Sequence, residues 1–192
     1  MTRDEAMALL QEYITAPHLI KHSLAVEAAV RGYARKLGED EEHWALAGLL
    51  HDFDYEIHPE ADKHPAAGRP ILEARGVPED VIYAIQSHAD YLEIARTHAL
   101  DKVLYAVDEL SGFVMAVAMV RPSKSIHDVD VRSVKKKLKD KAFARAVHRD
   151  EIYAGAQDLG VELDEHIQTV IESLQRSAPE LGLEGVPVAQ LS

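Results

Sequence analysis

Apolar residues recur at helical spacing through most of the chain, and this periodicity limits the fold more than any other feature of the sequence. In the segment that starts at Pro17, for example, Leu19, Val26, Val30 and Tyr33 fall on one face of a helix. Proline and glycine lie where such helices would begin and end. No segment shows the alternation of polar and apolar residues that is typical of a strand. The sequence therefore predicts an all-α fold.

The helical segments follow one another in a single series. We predict helices at residues 2–13, 17–38, 40–50, 64–76, 78–88, 100–119, 131–146, 150–159 and 164–177. Thr2 and Glu5 have the spacing of a capping box for the first helix. A chain of 192 residues has the size of a single domain. We expect a core at about 17–120, a helical extension at about 121–180 and a frayed tail at 181–192.

Composition excludes several classes of protein. The chain has no cysteine, so disulfides, thiolate catalysis and cysteine zinc sites are ruled out. Its first ten residues lack the basic and apolar regions of a secretory signal. The longest apolar run, 113–120, is too short to cross a bilayer. We therefore expect a cytoplasmic protein that has no membrane partner.

The net charge argues against a nucleic-acid partner. The formal charge is −12, whereas general binding of nucleic acid needs a basic surface. Residues 121–149 are an exception, because they hold ten Lys or Arg against three Asp. This basic segment could attract a small anion, although a lysine-rich helix face is more often only solvated.

The stretch LAGLLHDFDYEIHPEADKH, Leu46 to His64, places ionisable side chains directly after a buried helix. His51 and Asp52 follow the apolar run 46–50, and burying them is costly unless something compensates for them. Adjacent helical residues point about 100° apart, so both side chains can reach one centre from the end of the helix. They are candidate metal ligands, and the Asp52 carboxylate is free to bridge to a second ion.

Three other segments direct a possible ligand toward the interior. His22 lies on an apolar helix face, His88 ends the apolar helix VIYAIQSH, and Asp108 lies among core positions. Acids are rarely fully buried without a partner. Together with the donors of the stretch above, the predicted ligands are His22, His51, Asp52, His64, His88 and Asp108. Four imidazoles and two carboxylates favour one or two divalent transition ions, such as Fe, Mn, Co, Ni or Zn, over Mg.

The order of these six residues resembles the HD superfamily of metal-dependent phosphohydrolases. The histidine-rich version looks like the HDIG-type branch, with HDFD at 51–54 where that branch has its signature. The resemblance covers about 18–111, and the chain is also similar to bacterial proteins known only as predicted HD-superfamily hydrolases. It implies an all-α core and hydrolysis of a phosphomonoester or phosphodiester, often of a small nucleotide substrate.

The resemblance also implies roles for the six residues. His22, His51, Asp52 and Asp108 would hold the first ion, and Asp52 would share the second with His64 and His88. A metal-bound hydroxide would then be the nucleophile, without a Ser or Cys.

Differences between this sequence and known branches of the superfamily limit the possible substrates. The chain lacks the second histidine and the Gly-Tyr-Pro of cyclic-dinucleotide phosphodiesterases, and it lacks the Glu-Asp pair of alarmone hydrolases. Both activities are therefore disfavoured. The overall order of histidines is shared with small diadenosine tetraphosphate hydrolases.

Five further residues are candidates for substrate binding or catalysis. Lys21, beside His22, could bind a substrate phosphate, and so could Arg121 and Lys124 in a predicted loop. Asp54 and Glu56 could orient water or protonate the leaving group. A solvated surface position is the alternative for each of the five.

The remaining histidines are assigned lesser roles. His18 could support His22 by a hydrogen bond or lie at the surface. His58 and His98 are expected in loops. We predict that His43, His127, His148 and His166 are exposed and outside the site.

Two alternatives would use the same donors. One is a ligand-binding or regulatory HD domain that retains metal but has no turnover. The other is an oxygenase of the same superfamily with a di-iron site.

Overall fold

The computed structural model describes residues 1–60 and 62–186, whose regular elements are all helices and which contain no strand. Its α-helices are α1 (Arg3–Tyr13), α2 (Pro17–Leu37), α3 (Glu41–Leu50), α4 (Arg69–Ala74), α5 (Glu79–Ser87), α6 (Ala99–Met119), α7 (Val131–Leu138), α8 (Arg149–Leu159), α9 (Leu163–Arg176) and α10 (Ala178–Leu181). Short 3₁₀ turns lie at Ala66–Gly68, Asp90–Leu92 and Ile126–Asp128. The all-α prediction is confirmed.

In the first part of the chain, the helix ends predicted from capping residues, proline and glycine are confirmed. Glu5 N–H donates to the Thr2 hydroxyl and Thr2 N–H donates to the Glu5 carboxylate, so the predicted capping box is present. α2 begins at Pro17, and Gly38, with φ 77°, ends it in the left-handed region.

The two longest helices form the centre of the molecule. α2 packs against α3, α6 and α9, and α6 also packs against α5 and α8. Residues such as Val26, Val30, Leu104 and Val107 are fully buried between them. Because apolar residues cover much of the surface of α2 and α6, both helices need neighbours on several sides.

Two glycines allow helices to approach each other closely. A Cβ on Gly48 of α3 would lie 2.8 Å from the Glu27 Cα of α2. A Cβ on Gly155 of α8 would lie 2.5 Å from the Ala106 Cα of α6. Any side chain at either position would push the helices apart. Gly155 therefore brings a helix of the C-terminal extension onto the helix that carries Asp108.

One predicted helix, 131–146, ends much earlier, at Leu138. The chain beyond it wraps around the Arg149 guanidinium, which donates hydrogen bonds to the carbonyls of Leu138, Asp140, Phe143, Ala144 and Val147. Four of these bonds measure 3.1 to 3.3 Å. Ala144 has φ 43°, a left-handed conformation that a helix cannot contain. The carbonyls that would have continued α7 are directed to Arg149 instead.

Two predictions of exposure are wrong. His166 is fully buried: its Nε2–H donates to the Ala106 carbonyl (2.9 Å) and its Nδ1 accepts from the Tyr33 hydroxyl (2.7 Å). Burial lowers the pKa of His166 to about 4. The tail predicted to fray from 181 still packs at its start, because Leu181 and Leu183 are buried. Its remainder, 187–192, lies outside the described residues.

Candidate metal centre

The structure brings the six predicted ligands together in two neighbouring groups. Donor atoms of His22, His51 and Asp108 lie within 4.8 Å of one another, and so do those of Asp52, His64 and His88. The donors are supplied by α2, by the segment that follows α3, by the end of α5 and by the middle of α6. They meet because α2, α3, α5 and α6 pack around a common point.

Asp52 lies between the two groups. Its Oδ2 is 3.3 Å from the His51 Nε2 and 3.6 Å from the His22 Nε2. Its Oδ1 is 3.1 Å from the His64 Nε2 and 3.6 Å from the His88 Nε2. Each carboxylate oxygen thus faces one group, which is the arrangement expected of a bridging ligand.

Hydrogen bonds fix the orientation of three imidazoles. The Nδ1–H of His51 donates to the Gly48 carbonyl (2.9 Å), and that of His88 donates to the Ile85 carbonyl (2.6 Å). Both carbonyls belong to the last turn of a helix, where no intrahelical partner is available. The Nδ1–H of His64 donates to the Asp54 carboxylate (2.7 Å). With the proton on Nδ1, each ring directs the lone pair of Nε2 toward the centre.

The centre requires positive charge. The Nε2 atoms of His22 and His51 are only 3.2 Å apart, and the Asp108 Oδ1 is 2.9 Å from the former and 3.4 Å from the latter. Burial alone would lower the pKa of His51, but the charges of Asp52 and Asp108 outweigh it and raise that pKa well above its usual value. A metal ion can supply this charge in place of a proton, and the nitrogen-rich donor set suits a divalent transition metal.

Asp54 has a different position from the one predicted for a catalytic group. It is fully buried behind His64, where its Oδ1 accepts the hydrogen bond from that ring. Its Oδ2 makes no hydrogen bond to any described residue and lies where a Cβ on Gly68 would approach it to 2.7 Å. Asp54 therefore cannot reach a substrate, and its contact is with the face of His64 that points away from the centre.

Glu56 is also occupied elsewhere. Its carboxylate accepts hydrogen bonds from the Thr15 N–H (2.8 Å), the Ala16 N–H (3.0 Å) and the Thr15 hydroxyl. These bonds lower the pKa of Glu56, because they favour its charged form. Glu56 caps the start of α2, and it does not line the cleft above the centre.

The three cations predicted to bind phosphate do not line this cleft either. Arg121 lies thirteen positions beyond Asp108, a distance of about 20 Å along a helix axis. Lys124 follows it in the same turn. The ammonium of Lys21 lies beside Gly182, on the part of α2 that faces α10. Lys21 adjoins His22 in the sequence, but adjacent helical residues point about 100° apart, so the two side chains do not reach the same place.

The cleft above the centre has a volume of about 610 Å³ and an acidic lining. Besides Asp52 and Asp108, the lining includes Asp90, Glu109 and Glu151, whereas its described residues include no Lys or Arg. His148 also lines the cleft, contrary to the prediction that it lies outside the site. The sequence did not reveal this, since His148 reaches the cleft only when α8 packs on α6.

Residues 19–112 match the family model of the HD domain. This match contains all six predicted ligands, so residues 19–112 form an HD domain, the domain of the HD superfamily of metal-dependent phosphohydrolases.

The curated relatives of the chain are ribonucleases Y. It is 29% identical to the ribonuclease Y of Desulfotalea psychrophila over 154 residues, which are 74% of this chain and 28% of that protein. It is 31% identical to the ribonuclease Y of Oleidesulfovibrio alaskensis over 96 residues, or 50% of this chain and 18% of the relative. The chain thus spans about a quarter or less of the length of these relatives. No solved structure matches it.

Each helix in the described part of the chain is too short or too polar to cross a bilayer.

Proposed function

We propose that the protein hydrolyses a phosphomonoester or phosphodiester of a nucleotide, using two divalent transition ions held by the six converging residues. The HD domain supports the general class of reaction. The observation that carries the proposal is the orientation of the imidazoles, since hydrogen bonds at Nδ1 direct the Nε2 atoms of His51, His64 and His88 at Asp52.

Each residue has a definite part in this proposal. His22, His51 and Asp108 hold one ion, His64 and His88 hold the other, and Asp52 contacts both. When bound, such ions would lower the pKa of a coordinated water and offset the negative charge of a phosphate. The chain has to keep the donors in place, and the carbonyls of Gly48 and Ile85 and the carboxylate of Asp54 do so by fixing three rings.

Two tyrosines support a nucleotide as the substrate. Tyr55 and Tyr91 line the cleft and are about half exposed. The ring of Tyr55 packs edge-on against His64, and the Tyr91 hydroxyl donates to the His64 carbonyl (2.7 Å). Both rings are therefore held beside the centre while remaining partly exposed to the cleft. Stacking of a base on such a ring contributes about 1–3 kcal/mol.

A second candidate is a phosphodiester within RNA. The name of the relatives, ribonuclease Y, favours it and argues against our exclusion of nucleic acid from the net charge. The basic surface of α7, which includes Arg132, Lys135, Lys136 and the adjacent Lys139, could receive a phosphate backbone. The hydrolytic centre would be the same in both cases.

Metal analysis combined with a substrate screen tests the proposal. The purified protein should contain a divalent transition metal and hydrolyse nucleotide esters in Mn²⁺, Co²⁺ or Ni²⁺ more readily than in Mg²⁺. Asp52→Ala should lose activity and the ions held by the six residues, whereas Asp62→Ala, in the exposed part of the same segment, should keep both. Retention of metal and activity by Asp52→Ala would refute the assignment.

Two further assays separate the alternatives. The kcat/KM for short single-stranded RNA and the kcat/KM for free nucleotides, measured under the same conditions, show which of the two is the better substrate. Hydrolysis should proceed under argon, whereas dependence on oxygen would identify the di-iron oxygenase. Bound metal without turnover of any phosphoester would favour the ligand-binding domain.

A further inference from the structure

A second cluster of possible metal ligands lies on the wall of the cleft, outside the six residues already described. It consists of Glu109 on α6 and of His148 and Glu151 at the start of α8. One donor atom from each lies within 4.8 Å of the other two. Glu109 directly follows Asp108, so the cluster adjoins the centre along α6.

The distances within the cluster match those between ligands of one ion. The His148 Nδ1 is 3.0 Å from the Glu109 Oε1 and 3.3 Å from the Glu151 Oε1. Metal–ligand bonds of about 2.0–2.2 Å separate neighbouring ligands by roughly 3.0–3.4 Å in octahedral or tetrahedral geometry. Two of the three donor pairs therefore already have the spacing of ligands to one ion, and the third pair lies within 4.8 Å.

The charge of the cluster is not balanced by other side chains. Asp90, another acid of the cleft, pairs with Arg96 (2.8 Å), but the described residues offer neither Glu109 nor Glu151 a Lys or Arg partner. Burial raises the pKa of Glu151. Two carboxylates thus share one imidazole in a partly buried wall.

An ordinary structural role accounts for only part of this arrangement. Glu151 lies in the first turn of α8, where a carboxylate interacts favourably with the helix dipole. Glu109 lies in the middle of α6, and its carboxylate also faces the start of α8, so the helix dipole favours both carboxylates but supplies neither with a positively charged side chain. The Glu109 side chain faces the N-terminus of α8 because Gly155 packs against Ala106 one turn away.

We propose that Glu109, His148 and Glu151 bind an additional divalent transition ion on the wall of the cleft. Three donors, two carboxylates and one imidazole, leave positions free for water or for a ligand oxygen. The ion would give a positive charge to a wall that is otherwise acidic, so that an anionic ligand could approach it. This site stands apart from the proposed function, since it needs no turnover and uses none of the six ligands.

Metal binding by wild-type protein and by His148→Asn/Glu151→Gln tests the proposal. Both proteins, first stripped with a chelator, are dialysed against buffered Mn²⁺ or Zn²⁺, and bound metal per chain is measured by mass spectrometry. Isothermal titration of the same samples gives the affinity of each binding event. Glu162→Gln, an exposed carboxylate outside the cleft, is the matched control.

We expect wild type and Glu162→Gln to bind one ion more per chain than the double variant, or to bind that ion at least tenfold more tightly. Equal metal content and equal affinities in all three proteins would overturn the proposal. Circular dichroism checks that the double variant is folded, as substitutions at partly exposed positions should allow.

A fourth protein separates this result from the metal centre. Asp52→Ala should lose the ions of the centre but still bind the additional ion, which His148→Asn/Glu151→Gln does not bind. If wild type binds only the ion that the double variant loses, the additional site stands and the two-ion centre is wrong. If wild type and the double variant bind the same ions, the additional site is wrong even when the centre is metallated.

Discussion

At the scale of single residues, Asp54 holds the ring of one proposed metal ligand, His64, without lining the cleft. It lies behind His64, fully buried, and its only described hydrogen-bond partner is the Nδ1 of that ring. Burial alone would lower the pKa of His64, but hydrogen bonds to Asp52 and Asp54 raise it to about 9. A carboxylate in this position increases the basicity of the imidazole and thus its strength as a ligand.

Asp54→Asn should weaken metal binding without loss of a ligand. Asn can still accept the hydrogen bond from His64, but it carries no charge, so the affinity of the ion held by His64 should fall about ten- to a hundredfold. Titration calorimetry with Mn²⁺ measures this change. Asp62→Asn, exposed in the same segment, is the control. Identical affinities in the two variants would remove the role assigned to Asp54.

His166 should make stability depend on pH. Its folded pKa of about 4 lies below the value of about 6.5 in an unfolded chain. Between these two pH values the unfolded state binds a proton that the folded state does not. The contribution of neutral His166 to the unfolding free energy is therefore fully present above pH 6.5 and decreases as the pH falls toward 4. This one group should cost about 2 kcal/mol between pH 7.5 and 5.

Urea unfolding at the two pH values measures that cost. His166→Gln should lose less stability than wild type on acidification, because Gln can bond to both Tyr33 and the Ala106 carbonyl without titrating. His127→Gln, at an exposed position, should behave like wild type. The explanation fails if all three proteins lose the same free energy.

The sequence predicts the burial and contacts of some residues but not of others. The six proposed ligands could be singled out because most of them are polar side chains at an apolar position of a helix or directly after one, and the structure brings them together. His166 carried the same signal, since it lies beside Ile167 and four positions before Val170, and it was misread as exposed. Asp54 and His148 could not be placed, because their contacts depend on the path of a turn and on the docking of a distant helix.

At the scale of elements, the segment between α7 and α8 depends on a single side chain. Arg149, at the first position of α8, donates to five carbonyls of the segment 138–147. Residues 146–148 of this region line the cleft. Helices with local start and stop signals, such as α2, were predicted from the sequence. The end of α7 was not, because its cause lies eleven residues downstream of Leu138.

Arg149→Lys should loosen this segment. One ammonium has three donors and cannot satisfy five carbonyls, so the unfolding free energy should decrease by about 1–3 kcal/mol. Hydrogen exchange should accelerate at the amides of 139–147 more than in α2 or α6. Arg145→Lys, an exposed arginine of the same segment, is the matched control. Unchanged exchange in Arg149→Lys would show that the segment is held by other contacts.

At the scale of the whole molecule, metal binding would link segments that are far apart in sequence. The six ligands extend from His22 to Asp108 and belong to four separate parts of the chain. The chain has no disulfide to supply such a link, because it has no cysteine. Any ion that binds the folded state alone stabilises it by a free energy that rises with the logarithm of the ratio of its free concentration to Kd.

Removal of metal should therefore lower the thermal stability. At a free metal concentration of a hundred times Kd, the gain is about 2.7 kcal/mol, which corresponds to roughly 5–10 °C in Tm for a chain of this size. Scanning calorimetry with and without chelator measures this shift. Asp52→Ala should respond much less than wild type. A Tm that does not change on chelation of wild type would mean that the centre binds no ion under those conditions.

The contact between Gly155 and Ala106 has a consequence for the HD domain as a transferable module. The family match ends at residue 112, yet α8, which forms a wall of the cleft, lies beyond it. A gene fusion that moved only 19–112 into another protein would carry the six ligands and leave that wall behind. The new host would have to rebuild it with a residue as small as glycine against Ala106. Recombination can thus transfer the six converging side chains separately from one wall of the cleft above them.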